Sequence, residues 1–219
     1  MGPGFMDTSF CLLRCERQSA LRVAYASEAV RSLTGYSAAE SEGSAYGDRF
    51  GSAGIVRQGI DLASVADGSE VCPEDIVAGI LYLRDSFARL DSMLAAQLEQ
   101  LQEQPASLAQ KLTFTLDLHR TKGGELFVCE QAVIVQQHTQ TGWPYALVLQ
   151  RNVTESVPVR RLLSISASGG FPSLVQGRGP AVQGWLSGLS IAPGEAVAQL
   201  DALVALAWAP ERARAHELA

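Results

Sequence analysis

Three strand-like segments follow one another near the middle of the chain: LTFTLDLH at 112–119, LFVCEQAVIVQQ at 126–137 and PYALVLQRNV at 144–153. Each is rich in the β-branched, aromatic and aliphatic residues that fit a pleated surface. The pieces between them, RTKGG and HTQTGW, are short and carry turn-forming residues, so each strand must double back on its predecessor. The segment therefore predicts an antiparallel meander, and the rest of the fold has to supply its cover.

Upstream, the apolar runs FCLLR at 10–14 and LRVAY at 21–25 flank the polar CERQSA, which is hairpin spacing. Ser27 is placed to cap a short helix carrying Ala29, Val30 and Leu33 on one side, and Gly35 supplies its left-handed stop. The stretch at 43–59 holds five glycines, too many for a regular element but suited to close backbone approach around a pocket. Pro73 then opens a long helix, with Glu74 and Asp75 favourably placed in its first turn. Ile76, Ile80, Leu83, Phe87, Leu90, Leu94, Leu98 and Leu101 recur at steps of three and four until Pro105. Beyond the meander, TESVPVRRLL leads into a linker containing Gly and Ser, and 195–208 reads as an apolar helix. No internal repeat is present. The predicted class is α+β: a five-stranded antiparallel sheet with flanking helices, an inserted long helix and a C-terminal helical extension.

With 219 residues, 47% of them hydrophobic, the chain has enough apolar material for a core. A net charge of −6 gives no electrostatic reason to bind nucleic acid or anionic lipid. Cys11, Cys15, Cys72 and Cys129 form no C-x-x-C pair and stand at no metal-ligand spacing with histidine. They read as free thiols in a reducing compartment, which makes a cytoplasmic location the expectation and leaves no metal site. No apolar run approaches the length of a membrane span, so no membrane partner is expected. Residues 1–8, with MGPGF at the start, read as a tag remnant and tail.

The order of elements, a hairpin, short helices, a longer helix and a three-stranded meander, resembles that of a PAS domain over about 9–156. The stretch VAYASEAVRSLTGYSAAE is similar to the family's ANPAFERLTGYSAEE, HRTKGGELFV to its RKDGS-PFWV turn, and LQRNVTES to its closing VRDITER. An insertion at about 88–110 departs from the pattern, and 157–219 forms the linker and C-terminal helix. Within the family, the light-sensing flavin (LOV) domains carry GRNCRFLQ soon after TGYS. Counting forward, Tyr46 falls on the photoreactive cysteine, so the resemblance implies that no cysteinyl adduct forms. Gln150 falls on a glutamine of the last strand and Arg84 on a phosphate-contacting helix arginine, while the two flavin-contacting asparagines correspond to His119 and Cys129.

The ligand-binding candidates are Tyr46, Arg49, Arg84, Cys129 and Gln150. Guanidinium forks suit a phosphate or carboxylate, and surface ion pairs are the plainer fate of Arg49 and Arg84. A buried Gln150 amide needs partners, which a ligand or neighbouring side chains would provide. Cys129 serves equally as a small buried apolar residue. His119 and His138 could ligate haem iron, but both sit at strand ends beside turns, where a solvated histidine is expected. The cofactor is thus left open between none, a flavin held without an adduct, and haem.

If Gln150 and Cys129 point toward the pocket, then Leu147, Leu149, Val128 and Ile134 point away, and Leu116 joins them when His119 points inward. Such an apolar face needs a cover: the 195–208 helix, the long helix, a protein partner or a second copy in a homodimer. No nucleophile elbow, histidine-supported nucleophile or phosphate loop is present, which argues against an enzyme. The expected function is a non-catalytic PAS sensory or regulatory module within a larger signalling protein, acting through signal-dependent protein–protein interaction with or without a small-molecule ligand. The alternatives are a cofactor-binding photosensor or redox sensor lacking the adduct cysteine, and a small hydrolase.

Overall fold

A computed structural model describes residues 8–16, 20–51, 54–55, 73–103, 112–138, 140–169 and 175–176. In chain order, its elements begin with strands β1 (Phe10–Glu16) and β2 (Ala20–Ala26) and short helices α1 (Glu28–Thr34), α2 (Ala38–Ser41) and α3 (Tyr46–Arg49). The long helix α4 (Pro73–Glu103) precedes the meander strands β3 (Leu112–Arg120), β4 (Leu126–Gln137) and β5 (Pro144–Asn152). A helix α5 (Val159–Ala167) and a two-residue strand β6 (Val175–Gln176) complete them. The sheet runs β2-β1-β5-β4-β3-β6, with every strand pairing among the described residues antiparallel. The five expected strands are present, and β6 adds an edge to β3 that the sequence reading missed.

The hairpin and the meander are joined through the middle of the sheet, because β1 pairs with β5 from Phe10↔Leu149 to Leu13↔Ala146. Alternation then sorts the side chains. Cys11 and Leu13 of β1, Val133 and Val135 of β4, and Ala146 and Val148 of β5 share a core with Leu90, Leu94, Leu98 and Leu101 of α4. This is the inner face. On the opposite side, Phe10, Leu12, Ala132, Tyr145, Leu147 and Leu149 form the outer cluster. The 31-residue α4 carries its apolar stripe where the periodicity placed it, with Ile76, Ile80, Leu83, Phe87 and Leu90 all buried.

Gly35 ends α1 as expected, at φ 80° with its N–H donating to the Arg31 carbonyl at 2.8 Å. Ser27 behaves differently from the expectation: it makes no side-chain cap on α1. Its hydroxyl instead accepts from the Phe10 N–H at 3.0 Å and donates to the Thr8 carbonyl at 2.8 Å, so it ties the first strand to the end of the second. The capping box of this region lies one motif on, where Ser37 and Glu40 satisfy each other's backbone N–H groups. Residues 159–167, read as the approach to a linker, form α5 because Leu162, Leu163 and Ser166 find a buried surface beside α4. The helix expected at 195–208 lies outside the described residues.

Candidate functional site

The inner face is apolar where α4 crosses it and polar toward one end. Strand pairing puts Gln131 opposite both Gln150 and Thr115, and Cys129 opposite both Asp117 and Asn152. Odd positions of β3 and β4 and even positions of β5 point the same way, so Asp117, His119, Cys129, Gln131 and Gln150 face inward together. Each is buried. Burial pushes the Cys129 thiol well above its ordinary range, which leaves it protonated and unreactive.

Tyr46 opens α3 and projects into this region. Its hydroxyl accepts a hydrogen bond from the Gln150 side-chain amide at 2.7 Å. Its ring lies 5.9 Å from that of Phe87 in α4, nearly parallel, and 5.4 Å from Phe50. Desolvation raises its hydroxyl pKa, so the phenol stays neutral. The sequence thus brings together Tyr46 and Gln150, two of its five ligand candidates, and Cys129 shares their face.

The two arginines lie elsewhere. Arg49, at the end of α3, stacks its guanidinium over the Tyr36 ring at 4.8 Å and lines a small cleft with Asp48, Gly51, Gly54, Ile55 and Arg120. Arg84 pairs with its neighbour Asp85 at 2.7 Å, with both side chains well exposed. It is the surface ion pair that was the plainer expectation.

His119 corrects the expectation of a solvated histidine. It is 1% exposed, and its Nε2 sits 2.6 Å from the Gln131 side-chain nitrogen and 3.8 Å from Asp117 Oδ2. Burial lowers its pKa to about 3, so the ring is neutral, Gln131 donates to Nε2 and the ring proton resides on Nδ1. His138 is also buried, its Nδ1 accepting from the Thr141 N–H at 3.1 Å. A turn next to a strand does not imply exposure when the turn folds back over the strand end. Gln131 was missed outright, yet the parity that placed Cys129 inward places Gln131 there as well.

Three buried atoms of this region have no hydrogen-bond partner among the described residues: His119 Nδ1, Gln131 Oε1 and Gln150 Oε1. One is a donor and two are acceptors on adjacent strands. Each unpaired group costs about 1–3 kcal/mol, so the arrangement favours anything polar and small that pairs with them.

The His119 assignment makes a measurable prediction. Its folded pKa lies below the ordinary 6.5, so the unfolded chain takes up the proton first as the solution is acidified. The neutral ring's contribution is complete above about 6.5 and is lost as pH falls toward about 3, at up to about 1.4 kcal/mol per pH unit. Denaturant midpoints over that window should fall more steeply for the native chain than for His119→Gln. Equal slopes would show that His119 is not held neutral by burial.

The residues present do not fit a flavin. The Gln150 side-chain nitrogen is engaged by Tyr46, the position that the resemblance matches to the LOV cysteine is filled by a phenol stacked on Phe87, and Arg84 pairs with Asp85 at the surface.

No protein-family model matches this chain, and no curated protein matches it. Among solved structures it is similar to a fungal LOV domain photoreceptor, at 17% identity and a TM-score of 0.41 over 70% of this chain and 79% of that one. The light-state dimer of the fungal blue-light photoreceptor Vivid is similar at 17% identity and a TM-score of 0.40, over 69% of this chain and 81% of that one. A PAS domain from Colwellia psychrerythraea is similar at 11% identity and a TM-score of 0.35, over 68% of this chain and 88% of that one. A hairpin followed by short helices, one long helix and a three-stranded meander, closed into one antiparallel sheet through β1 and β5, is the α+β architecture expected of a PAS-like fold.

Proposed function

We propose that this chain is a non-catalytic sensory or regulatory module of the PAS type that acts on a protein partner, within a larger signalling protein, according to the state of its inner face. The observation that carries the reading is the buried polar row of Asp117, His119, Gln131 and Gln150, three of whose side-chain atoms have no hydrogen-bond partner among the described residues. A core built only for stability would not hold such atoms, because apolar replacements of similar shape cost less. A small neutral molecule with paired N–H donors suits the two glutamine carbonyls, and an acceptor on it suits His119 Nδ1. The thiol and phenol nearby are held protonated and the histidine neutral, which supports a binding role over a nucleophile and base.

Of the proposed interface residues, Val128, Leu147 and Leu149 are buried within the single chain, while Leu116 and Ile134 are half-buried. A protein partner or second copy would engage that face only after it is uncovered.

Native mass spectrometry and an absorption spectrum of the full chain, followed by a thermal-shift screen with uracil and nicotinamide as first probes, test the reading. The expected results are a protein-only visible spectrum and a probe that stabilises the chain, by about 2.7 kcal/mol at a hundred times its dissociation constant, with the effect lost in Gln131→Leu. A flavin or Soret spectrum would overturn the cofactor-free reading, and turnover of simple esters would overturn the non-catalytic one.

A further inference from the structure

Two hydrogen bonds on β4 fix which way the backbone of β3 faces. The Val128 N–H donates to the Thr154 hydroxyl at 2.9 Å, and the Val128 carbonyl accepts from the Val153 N–H at 2.9 Å. Both groups of Val128 are turned to the β5 side, so Leu118, which stands opposite Val128, makes no ladder bond with β4. Backbone groups alternate sides along a strand, and Phe114, Leu116 and Leu118 therefore present their N–H and C=O groups to the β6 side.

That edge is finished in two ways. At Leu118 it is closed: the N–H donates to the Asp117 carboxylate at 2.9 Å, and Leu118 is buried in the cluster of Ile76, Ile80 and Leu83 of α4. At Phe114 it takes a strand, which β6 supplies by pairing Val175 with Phe114 and Gln176 with Thr113. Leu116 lies between them, half-buried, with no strand opposite it on this side among the described residues. Its carbonyl receives the Thr115 hydroxyl at a long 3.4 Å. The two-residue β6 thus fills only part of the edge, and the backbone groups of Leu116 suit a longer strand.

We propose that the β3 edge from Leu112 to Leu116 is a strand-addition site for an extended segment of a protein partner, and that β6 is the chain's own strand, held there until the partner displaces it. A bare edge recruits strands through its backbone groups, and proteins keep such edges short, closed or covered. Here the Asp117 carboxylate and α4 close the far end, and β6 covers the rest. Phe114 and Leu116 are half-buried on the outer side, whereas Thr113 and Thr115 are buried on the inner side. The segment that fits therefore alternates a β-branched or aliphatic residue beside Phe114 and Leu116 with a small polar one beside the threonines. A strand of two residues is kept in place mainly by its tether, which a longer strand overcomes by pairing with Leu116 as well. The inference goes beyond the sensory reading, because this edge is a different surface from the inner face and needs no ligand there.

A labelled peptide of sequence FPSLVQGRG, residues 171–179, titrated against the full chain by fluorescence anisotropy, provides the test. Val175→Pro in the chain removes the N–H that faces Phe114 and releases β6, so it should tighten peptide binding by about tenfold or more. Methylating the valine nitrogen of the peptide removes the same bond from the probe and should weaken binding by about tenfold. Thr113 and Gln176 are directly opposed and outside the ladder bonds, where strands come closest, so Thr113→Cys with Gln176→Cys should form a disulfide that locks β6 in place. The locked chain should not bind the peptide, and reduction should restore binding. The proposal is overturned if Val175→Pro binds no tighter than the native chain, if the methylated peptide binds as well as the plain one, or if the lock changes nothing. Failure of the disulfide to form under oxidant overturns it too, because β6 would then not occupy the edge. No ligand of the inner face enters this experiment, so a failed ligand screen and a failed strand site give different results.

Discussion

Leu147→Asp should destabilise the chain by about 4 kcal/mol or more, enough to unfold many domains of this size at ordinary temperature. Leu147 lies on the outer face at 3% exposure, among Phe10, Leu12, Ala132, Tyr145 and Leu149. Placing a carboxylate there forfeits the apolar burial of leucine and adds the desolvation of a charge that has no partner in that cluster. Acidifying the solution should return part of the loss, because a buried carboxyl protonates more readily than an exposed one. Leu147→Met, which keeps the volume, should cost less than about 1.5 kcal/mol. Urea denaturation of the three proteins decides the matter, and a loss below about 1 kcal/mol for the aspartate would show that the outer face is not a core.

Phe87→Ala carries the second large effect, an expected loss of about 3–5 kcal/mol. Phe87 is 6% exposed and fills the space between Gly47, Gly51 and the Tyr46 ring. Both glycines sit too close to the ring for the backbone to have moved in already, and neither has a side chain to relax into the hole. The cavity should therefore persist, which puts the cost at the upper part of that range. Phe87→Leu should recover about half of it. Should calorimetry find the alanine variant within about 1 kcal/mol of the native chain, the packing of α4 on α3 described above is wrong.

Much of this architecture was legible in the residue pattern. The meander strands, the hairpin, the Gly35 stop and the span of α4 follow from periodicity and turn chemistry, which act over a few neighbouring residues. Parity along β4 and β5 also fixed the faces of those strands once Cys129 and Gln150 were set inward, and it sent Val128, Ile134, Leu147 and Leu149 to the other side, where Leu116 of β3 joined them only on the condition that His119 points inward. Applied one step farther, the same parity would have found Gln131.

Other features needed the third dimension. The histidines were judged by position in the chain, as strand-end residues beside turns, but exposure depends on what folds over them. His119 is enclosed beside Gln131 and Asp117, and His138 is enclosed by its own turn. Ser27 has the composition of a helix cap, and whether its hydroxyl serves α1 or β1 is settled by the arrival of Phe10 and Thr8 beside it. For α5, nine residues give a helix too short to hold by propensity alone, and its burial against α4 at Gly79 provides the stability. Local sequence determined which elements form and which way their side chains alternate, because those choices are made by backbone sterics and period. Only the tertiary structure decided which polar groups are shut away from water and left unpaired, because burial is a property of everything that packs around a residue.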